Sequence, residues 1–498
     1  MTEQTLKAPS QLQRPVATRD APASRRRSAS ALIYAYRWLI GAVGLLLLST
    51  LIVLWARARP GYDPYGWIVW GHLTVHLKLD TNGAPSWKPL PFLFTVPYAV
   101  LGHYALWLWM ITSVAISLSG VVFAWRIAFA LVDALPERRY AAYGAGLCAG
   151  LTLLGISGYF HSILSAESDS MIVSLSLAAV DCQLCRRFRW ALWLWVLASL
   201  GRPETWPFLG LYALWAWRSH PSMRHQIVVG IASIPVLWFG IPALTSKSPF
   251  SAASLAERSP RELHGNKILG TASRFLALNA ASIKLAALIA TALAVLRRDR
   301  AVLLLAGGVA LWVLVEAVFA LHGWPAVPRY MYEAAAGTCV LAGVFVGRVI
   351  HDAPGLVARI NPRLPPALGA WAAVLVLGVF VGSLLPAARN RLNVERTDLH
   401  RQRARTHEID LLAGVVARLG PARILACGQP NIPIAFQSIL AWYLGSNVGR
   451  LYFSAKHERE SPHPVVNMYP HSYGWQVFPS HTLNGTQAAH CTGLTLRT

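Results

Sequence analysis

Long apolar segments recur along most of this chain, separated by short polar stretches. A helix needs roughly 20 apolar residues to cross the hydrocarbon core of a bilayer. Most of the segments approach that length, whereas 190–200 and 205–217 fall short of it. The eleven segments are 32–55, 104–131, 141–160, 169–184, 190–200, 205–217, 226–246, 276–296, 301–321, 330–350 and 366–387. The pattern predicts an all-α polytopic membrane protein with about eleven transmembrane helices.

The composition supports this prediction. Of the 498 residues, 55% are hydrophobic and only 13% are charged, and the mean hydropathy is +0.42. These values are typical of an integral membrane protein. The net charge of +23 comes from arginine clusters between apolar segments, not from one continuous face. Membrane orientation explains such clusters better than nucleic-acid binding, so we expect membrane lipids as partners and no nucleic acid.

The basic clusters also predict which side of the membrane each connection lies on. Residues 1–30 lack an apolar pattern and are expected to form a disordered basic cytoplasmic tail. Arginine-rich connections stay on the cytoplasmic side. The expected localisation is the plasma membrane, with the N-terminus cytoplasmic. Every second connection then carries a cluster: Arg138 and Arg139; Arg186, Arg187 and Arg189; Arg218 and Arg224; Arg297, Arg298 and Arg300; Arg348, Arg359 and Arg363.

Three domains are expected from this topology. They are the tail at 1–30, a transmembrane domain at 31–387 that includes a long outer loop at 56–103, and an extracytoplasmic domain at 388–498. In the last domain, "RILAC" and "RLYFS" are typical of strands and "IPIAFQSILAWYLG" of a helix, which favours a small α/β fold. Cys427 and Cys491 lie on the oxidising side in this topology and are candidates for a disulfide.

The outer loop carries the first candidates for chemistry. Asp63 stands in "RPGYDPYGWIVWG", an acid among aromatic residues where the chain leaves the membrane. Asp before Pro64 is also typical of a turn or a helix N-cap. At the outer membrane edge, however, a carboxylate is placed to deprotonate a lipid-borne substrate. Downstream, Lys88 in "SWKPLP" either anchors the loop by snorkelling or holds a lipid phosphate.

A second group of candidates lies in "FHSILSAESDSM". Glu167 and Asp169 suit the start of a helix, where acids interact favourably with the helix dipole. Together with His161, they would also face the same outer cavity as Asp63. There they would bind the acceptor hydroxyl or supply a supplementary carboxylate.

Two further motifs place charges near membrane depth. In "GRPETW", Arg202 and Glu204 interrupt the short pair of apolar segments. They either neutralise one another, because unpaired charges at that depth are costly, or Arg202 holds a phosphate. In "HGWPAVPRYMY", the candidates are His322, Arg329 and Tyr330. Arg329 is either a snorkelling side chain or a guanidinium that faces a phosphate leaving group.

The order of these motifs resembles the GT-C glycosyltransferases of the protein mannosyltransferase, aminoarabinose transferase and arabinofuranosyltransferase type. An acid after the first transmembrane helix, followed by "WKPLP", looks like their first outer loop. "LASLGRPETWPFLGLYALW" is similar to their L-x-R-P-E helix pair, and "HGWPAVPRYMYEAAAG" resembles their RY-x-x-x-A motif. The resemblance covers about residues 30 to 350 in order and topology.

The resemblance implies an inverting transferase that takes a sugar from a polyprenyl-phosphate donor. The acceptor would be an envelope glycan, lipid or protein on the outer face. Asp63 would be the general base and Lys88 would hold the donor phosphate. The family often has a pair of acids in the first loop, whereas here Asp63 is followed by Pro64. No cofactor is therefore expected, and a role for a divalent cation is doubtful.

A polytopic lipid or polysaccharide transporter, or flippase, is the alternative function. Such proteins often contain duplicated halves with acids or broken helices in matching positions. No internal repeat is visible in this sequence. A non-enzymatic scaffold would leave Asp63, Lys88 and Arg329 on one side of the membrane without a reason, so the sequence favours the transferase.

Overall fold

The structure is a computed structural model, and the predicted tail lies outside the residues that it describes, except at its last two positions. The described residues are 29–83, 85–133, 139–250, 253–254, 257, 261–360, 365–454, 461, 464–471, 474–479, 491 and 496–497. The chain divides into two compact units, residues 1–44 and residues 45–498. Everything that follows on packing and on the site concerns the second unit.

The described chain is mostly helical. The helices up to residue 245 are α1 Ala29–Ala56, α2 Tyr62–Val75, α3 Pro89–Ala99, α4 Ala105–Asp133, α5 Arg139–Leu154, α6 Tyr159–Leu164, α7 Ser168–Leu184, α8 Phe188–Gly201, α9 Trp206–Ser219, α10 Arg224–Pro235 and α11 Ile241–Thr245. The later helices are α12 Lys267–Leu276, α13 Ala281–Arg297, α14 Arg300–Leu321, α15 Tyr332–Ile360, α16 Pro366–Leu419, α17 Pro421–Cys427 and α18 Gln437–Leu444. Each apolar segment found in the sequence lies mostly in helix, so the predicted fold class is confirmed.

Length and composition limit how many of these helices span a membrane. Within the described chain, six helices are long and apolar enough to do so, and a seventh span results if the bent pair α12 and α13 counts as one. The pair bends by 101°. The predicted number of about eleven spans stays a prediction, since shorter helices such as α8 are apolar but below the length of a full span.

The short pair around "GRPETW" forms two separate helices, α8 and α9. Arg202 has an extended backbone (φ −151°, ψ 136°) between them, because the residue before a proline disfavours the helical region. The Tyr212 hydroxyl of α9 donates to the Phe188 carbonyl at the start of α8 (2.8 Å). The two helices therefore run antiparallel, and the break carries Arg202 and Glu204 to one end of the pair.

Helix α15 packs deeply against its neighbours. In its apolar part, 78% of an 18-residue window is buried. This packing requires α15 to approach α5 closely, and Gly343 allows that approach. A Cβ at Gly343 would lie 2.4 Å from the Ala145 carbonyl oxygen. Small residues at helix contacts allow such close packing in membrane proteins. The tight contact holds the middle of α15 against α5, and Arg329 lies just ahead of the first residue of α15.

The C-terminal region differs in detail from the sequence-based prediction. "RILAC" is helix α17 and not a strand; a short apolar run does not distinguish the two, and Pro421 suits a helix start. "RLYFS" is also not a strand, since it contains the end of a 3₁₀ turn, Val448–Arg450, and one isolated bridge at Tyr452. Helix α16 continues through residue 387 to Leu419, so the predicted domain boundary falls inside a helix. The helix predicted in "IPIAFQSILAWYLG" is α18.

A small sheet completes this region. Its strands are β1 Gln429–Asn431, β2 Val465–His471, β3 Gly474–Pro479 and β4 Leu496–Arg497, in the order β1-β2-β3-β4. Strand β1 is parallel to β2, while β2 with β3 and β3 with β4 are antiparallel. Cys427 and Cys491 form the disulfide for which the sequence made them candidates, with Cα atoms 5.0 Å apart. The mixed helices and strands agree with the α/β character expected of this region.

Candidate active site

The polar residues of the site are delivered by helix ends. Asp63 is in the first turn of α2, Glu167 precedes α7 and Asp169 is in its first turn. Lys88 precedes α3, whose first residue is Pro89. Proline is favoured at that position because its missing N–H costs nothing there. Carboxylates at helix N-termini interact favourably with the helix dipole, so the fold itself favours the acids at these positions.

The Arg329 guanidinium lies among three carboxylates. Its Nη2 is 3.7 Å from Oδ2 of Asp63, its Nη1 is 3.8 Å from Oε2 of Glu167, and its Nε is 3.8 Å from Oδ2 of Asp169. These are ion-pair distances but exceed hydrogen-bond lengths. Among the described residues, three of these atoms are buried without a hydrogen-bond partner: Nε of Arg329, Oε2 of Glu167 and Oδ2 of Asp169. Buried polar atoms are rarely left unsatisfied, so the cluster is suited to a ligand with anionic and hydroxyl groups.

Lys88 lies beside this cluster. Its Nζ donates to the Ser168 hydroxyl (3.0 Å) and lies 5.5 Å from the centre of the Trp67 ring. Burial lowers the pKa of Lys88, and the charge of Asp169 opposes that shift. Lys88 makes this one hydrogen bond to a neutral group, which leaves its other N–H donors for a ligand.

Arg202 lies deeper than Arg329. Its Nη2 bonds the Asp169 carboxylate and its Nη1 is 3.3 Å from Oε1 of Glu204. Its guanidinium carbon is 4.0 Å from the centre of the Tyr330 ring. The side chain is only 3% exposed. Arg202 and Glu204 therefore form the ion pair considered from the sequence. Arg202 also holds the Asp169 carboxylate in position from the buried side of the site.

The environment of Glu167 changes its acidity. Burial, reinforced by the nearby charge of Asp63, raises the pKa of Glu167 to about 7, and Arg329 opposes the change. Gly61 makes this packing feasible, because a Cβ at Gly61 would lie 2.6 Å from Oε1 of Glu167. The site thus combines two neighbouring carboxyl groups in one small volume.

The structure brings together most of the residues singled out in the sequence. They are Asp63, Lys88, Glu167, Asp169, Arg202, Glu204, Arg329 and Tyr330. His161 is not part of the contacts around Arg329, since its Nδ1 is 2.7 Å from Oδ2 of Asp398 on α16. His322 ends α14, and its Nδ1 is 2.8 Å from the Val318 carbonyl oxygen. The roles of all these residues stay predictions.

Asp63 is not the N-cap residue that the sequence offered as its alternative role. Gly61, not Asp63, is the N-cap of α2, and neither it nor Glu167 at the start of α7 makes a side-chain cap hydrogen bond. The acids are therefore helix-end residues whose oxygens face the cluster. At the starts of α2 and α7, no side chain of the N-cap residue accepts a hydrogen bond from the backbone N–H groups of the helix.

Two buried acids extend the site beyond the sequence-based candidates. Glu333 is in the first turn of α15, and Glu316 is buried in α14. Both carboxylates lack a hydrogen-bond partner among the described residues. Glu316 stands in the apolar run "LWVLVEAVFAL", where an acid without a partner is costly. Glu333 was missed, although an acid next to an apolar segment is itself a signal.

Among the described residues, no group of three or more His, Cys, Asp or Glu side chains is arranged to hold a metal ion. Lys88, Arg202 and Arg329 place positive charge among these carboxylates. The independence of the reaction from a divalent cation stays a prediction.

Comparison with known proteins concerns the fold. No protein-family model and no curated protein matches this chain, but its fold is similar to that of a solved structure. Specifically, it is similar to ArnT from Cupriavidus metallidurans solved with undecaprenyl phosphate bound, with a TM-score of 0.50 and 15% identity over 93% of this chain and 100% of that chain. The apo state of the same enzyme gives a TM-score of 0.49 and 16% identity over 88% and 93%.

Proposed function

We propose that this protein is a GT-C-type glycosyltransferase that moves a sugar from a polyprenyl-phosphate donor to an acceptor hydroxyl on the outer face of the membrane. The observation that carries the proposal is the convergence of Asp63, Glu167 and Asp169 on Arg329, with Lys88 beside them. The fold shared with ArnT, whose structure was solved with undecaprenyl phosphate, supports a lipid-phosphate donor.

Lys88 and Arg329 would hold the donor phosphate. In the transfer step, the bond between the sugar C1 and the phosphate oxygen breaks, and its electron pair stays on the phosphate. Positive groups fixed in a water-poor site stabilise this developing charge without reorganisation. Arg329 has a 30% exposed side chain, against 3% for Arg202. Arg329 is therefore the better candidate for direct contact, although the sequence offered both.

Asp63 would act as the general base. It removes the proton of the acceptor hydroxyl while that oxygen forms the new bond to C1 from the face opposite the phosphate, which inverts the configuration. Asp63 is 23% exposed in its side chain, more than Glu167 or Asp169, so it is the most accessible of the three to an incoming acceptor. A positioned carboxylate contributes roughly 10² to 10⁴-fold to such a step.

Arg202 and Glu204 would be positioning residues. Arg202 bonds Asp169 and stacks on Tyr330, so it holds one wall of the site in place. Asp169 faces Arg329 with its other oxygen. A direct contact between Arg202 and the donor phosphate stays a prediction, and we assign the buried pair primarily to structural support of the site.

The proposal is tested by assaying the purified, reconstituted protein with a panel of polyprenyl-phosphate sugars, both pentoses and hexoses. Candidate glycan, lipid and protein acceptors are supplied separately. We expect release of polyprenyl phosphate together with an inverted glycosidic product for at least one pair, in the presence of EDTA as well as without it. Movement of a lipid-linked sugar across vesicles without any product would instead support the flippase function and contradict the transferase.

A further inference from the structure

A large apolar cavity runs through the helix layer from Glu333, an acid at the edge of the candidate active site. Its volume is about 790 Å³, and its walls come from α4, α7, α8, α9, α14 and α15. Asp63, Lys88 and Arg329 are not among its lining residues. The walls include Ile127, Val173, Leu177, Trp195, Phe208 and Leu305. Ligand cavities commonly measure about 300 to 1,000 Å³, so this space suits one hydrocarbon chain.

The cavity extends from one end of the helix layer towards the other. Glu333, at the start of α15, lines it, and so do Arg186 and Phe188, which follow the C-terminal end of α7. Helix α7 has 17 residues and begins beside the Asp63 cluster with Asp169. At about 1.5 Å per residue, its length is roughly 25 Å. Arg186 therefore lies at the opposite end of the layer from the candidate active site.

A basic pocket adjoins the cavity at this end. Its volume is about 420 Å³, and Arg186 and Phe188 line both spaces. Arg187, Arg189 and His220 also line it. The side chains of Arg186 and Arg189 make no hydrogen bond or ion pair within the described part of the chain.

The surroundings of this pocket complete a site for an anion. Asp181, the acid near the end of α7, is already bonded to Arg126 (3.0 Å). The His220 ring stacks on Phe188, with ring centres 4.3 Å apart. Trp190 is exposed at the rim, as expected for an aromatic side chain at a membrane surface. The pocket thus presents positive charge with an aromatic border.

We propose that the basic pocket and the apolar cavity together bind one anionic phospholipid, such as phosphatidylglycerol. Its phosphate is held by Arg186, Arg187 and Arg189, and one acyl chain enters the cavity. Basic pockets between transmembrane helices on the cytoplasmic side recognise anionic lipid headgroups. The arginine distribution predicts that this end faces the cytoplasm, so the site differs from the donor site in both its location and its lipid.

The cavity offers a matched pair of variants. Gly308 lines the cavity and a Cβ built there meets nothing within 4 Å, so Gly308→Phe fills the cavity. Gly307 also has open space at its Cβ but does not line the cavity, and it is exposed. Gly307→Phe is therefore the control in the same helix. For the pocket, the test variant combines Arg186→Gln and Arg189→Gln in one protein. Its control is Arg300→Gln, which changes an exposed arginine outside the pocket.

The experiment is native mass spectrometry of delipidated full-length protein titrated with phosphatidylglycerol, phosphatidylcholine, undecaprenyl phosphate or inorganic phosphate. We expect one tightly bound phosphatidylglycerol per chain. Gly308→Phe abolishes it, and the double arginine variant weakens it roughly thirtyfold, given about 1 kcal/mol per basic residue near a lipid surface. Gly307→Phe and Arg300→Gln bind as the wild type does.

Four results would overturn the proposal. They are equal binding of phosphatidylcholine, unchanged binding in Gly308→Phe, saturation of the site by inorganic phosphate alone, and a Gly308-sensitive preference for undecaprenyl phosphate. The last would assign the cavity to the lipid carrier. Because neither variant pair touches the Asp63 cluster, glycosyl transfer by the same samples shows separately whether the proposed function holds.

Discussion

The Arg329 guanidinium lies 3.7 Å from the Asp63 carboxylate, although Asp63 is in the first turn of α2 and Arg329 precedes α15. The pairing joins the proposed phosphate-binding cation to the proposed base. The cation for the leaving phosphate and the base for the acceptor proton would then belong to one site. This proximity is what makes a concerted transfer feasible, since correct placement of reacting groups lowers the barrier considerably.

Lys88 is expected to act on the donor. Replacing it by methionine, Lys88→Met, removes the ammonium but keeps much of the side-chain length. Hydrogen bonds to charged groups contribute about 1.5 to 3 kcal/mol, so kcat/KM for the lipid donor should fall by roughly 10- to 100-fold. Steady-state kinetics with varied donor measure this. Lys78→Met, an exposed lysine of the same loop, is the control, and equal kinetics in the two variants would contradict the assignment.

Gly61 is expected to be required for the geometry of Glu167. In Gly61→Ala, the new methyl group would lie 2.6 Å from Oε1 of Glu167, so the carboxyl group must move away from the cluster. Transfer should decrease while the fold is retained, because φ at Gly61 is −70°, an angle open to alanine. Activity and thermal unfolding are measured together. Gly210→Ala, with open space at its Cβ, should retain wild-type activity. Unchanged transfer in Gly61→Ala would contradict the close contact between Gly61 and Glu167.

Glu167 predicts a specific dependence of stability on pH. Its pKa is raised from 4.5 to about 7 in the folded protein, so the folded state binds this proton more tightly than the unfolded state. Its contribution to stability is fully present below pH 4.5, decreases as pH rises and is lost above about pH 7. The total change is about 3 kcal/mol. The free energy of unfolding of wild type and of Glu167→Gln is measured across this pH range. If it depended on pH in the same way in both proteins, the raised pKa of Glu167 would be refuted.

The buried pair of Arg202 and Asp169 is expected to support the site. Asp169→Asn leaves the guanidinium with one carboxylate fewer in a region where the arginine side chain is only 3% exposed. Breaking a buried ion pair from one side costs about 3 to 5 kcal/mol. Thermal unfolding should show a large loss of stability.

The matched control is an exposed ion pair. Asp410→Asn removes the partner of Arg59, a carboxylate whose side chain is 53% exposed. Exposed pairs contribute about 0 to 1 kcal/mol, so this variant should unfold almost as the wild type does. If both variants lost the same stability, the burial of the Arg202 pair would not be what stabilises the site.

The sequence predicted the helices and the site from two physical signals. Bilayer thickness demands long apolar segments, so helices such as α4 and α14 were recognised by length. Positive charge stays inside, which grouped Asp63, Lys88 and Arg329 on one side before any contact was known. The ion pairs of Arg329 then brought residues from distant helices into one cluster.

Other features lacked a local signal. The apolar run at Ile424 is too short to separate strand from helix, and it is helical. Helix α16 continues past residue 387 into a charged sequence, where hydropathy no longer marks a helix. His161 was grouped with the acids by its position in the chain, whereas its ring bonds Asp398. That partner depends on tertiary packing and is invisible in the local sequence.

The most direct test of the account separates donor binding from transfer in Asp63→Asn. Affinity for the polyprenyl-phosphate sugar and the rate of a single turnover are measured on the same reconstituted protein. Glu262→Gln, an acid outside the cluster that pairs with Lys267, is the control. We expect Asp63→Asn to bind donor nearly as wild type does and to transfer roughly 10²- to 10⁴-fold more slowly. Undiminished transfer would contradict the assignment of Asp63 as the general base.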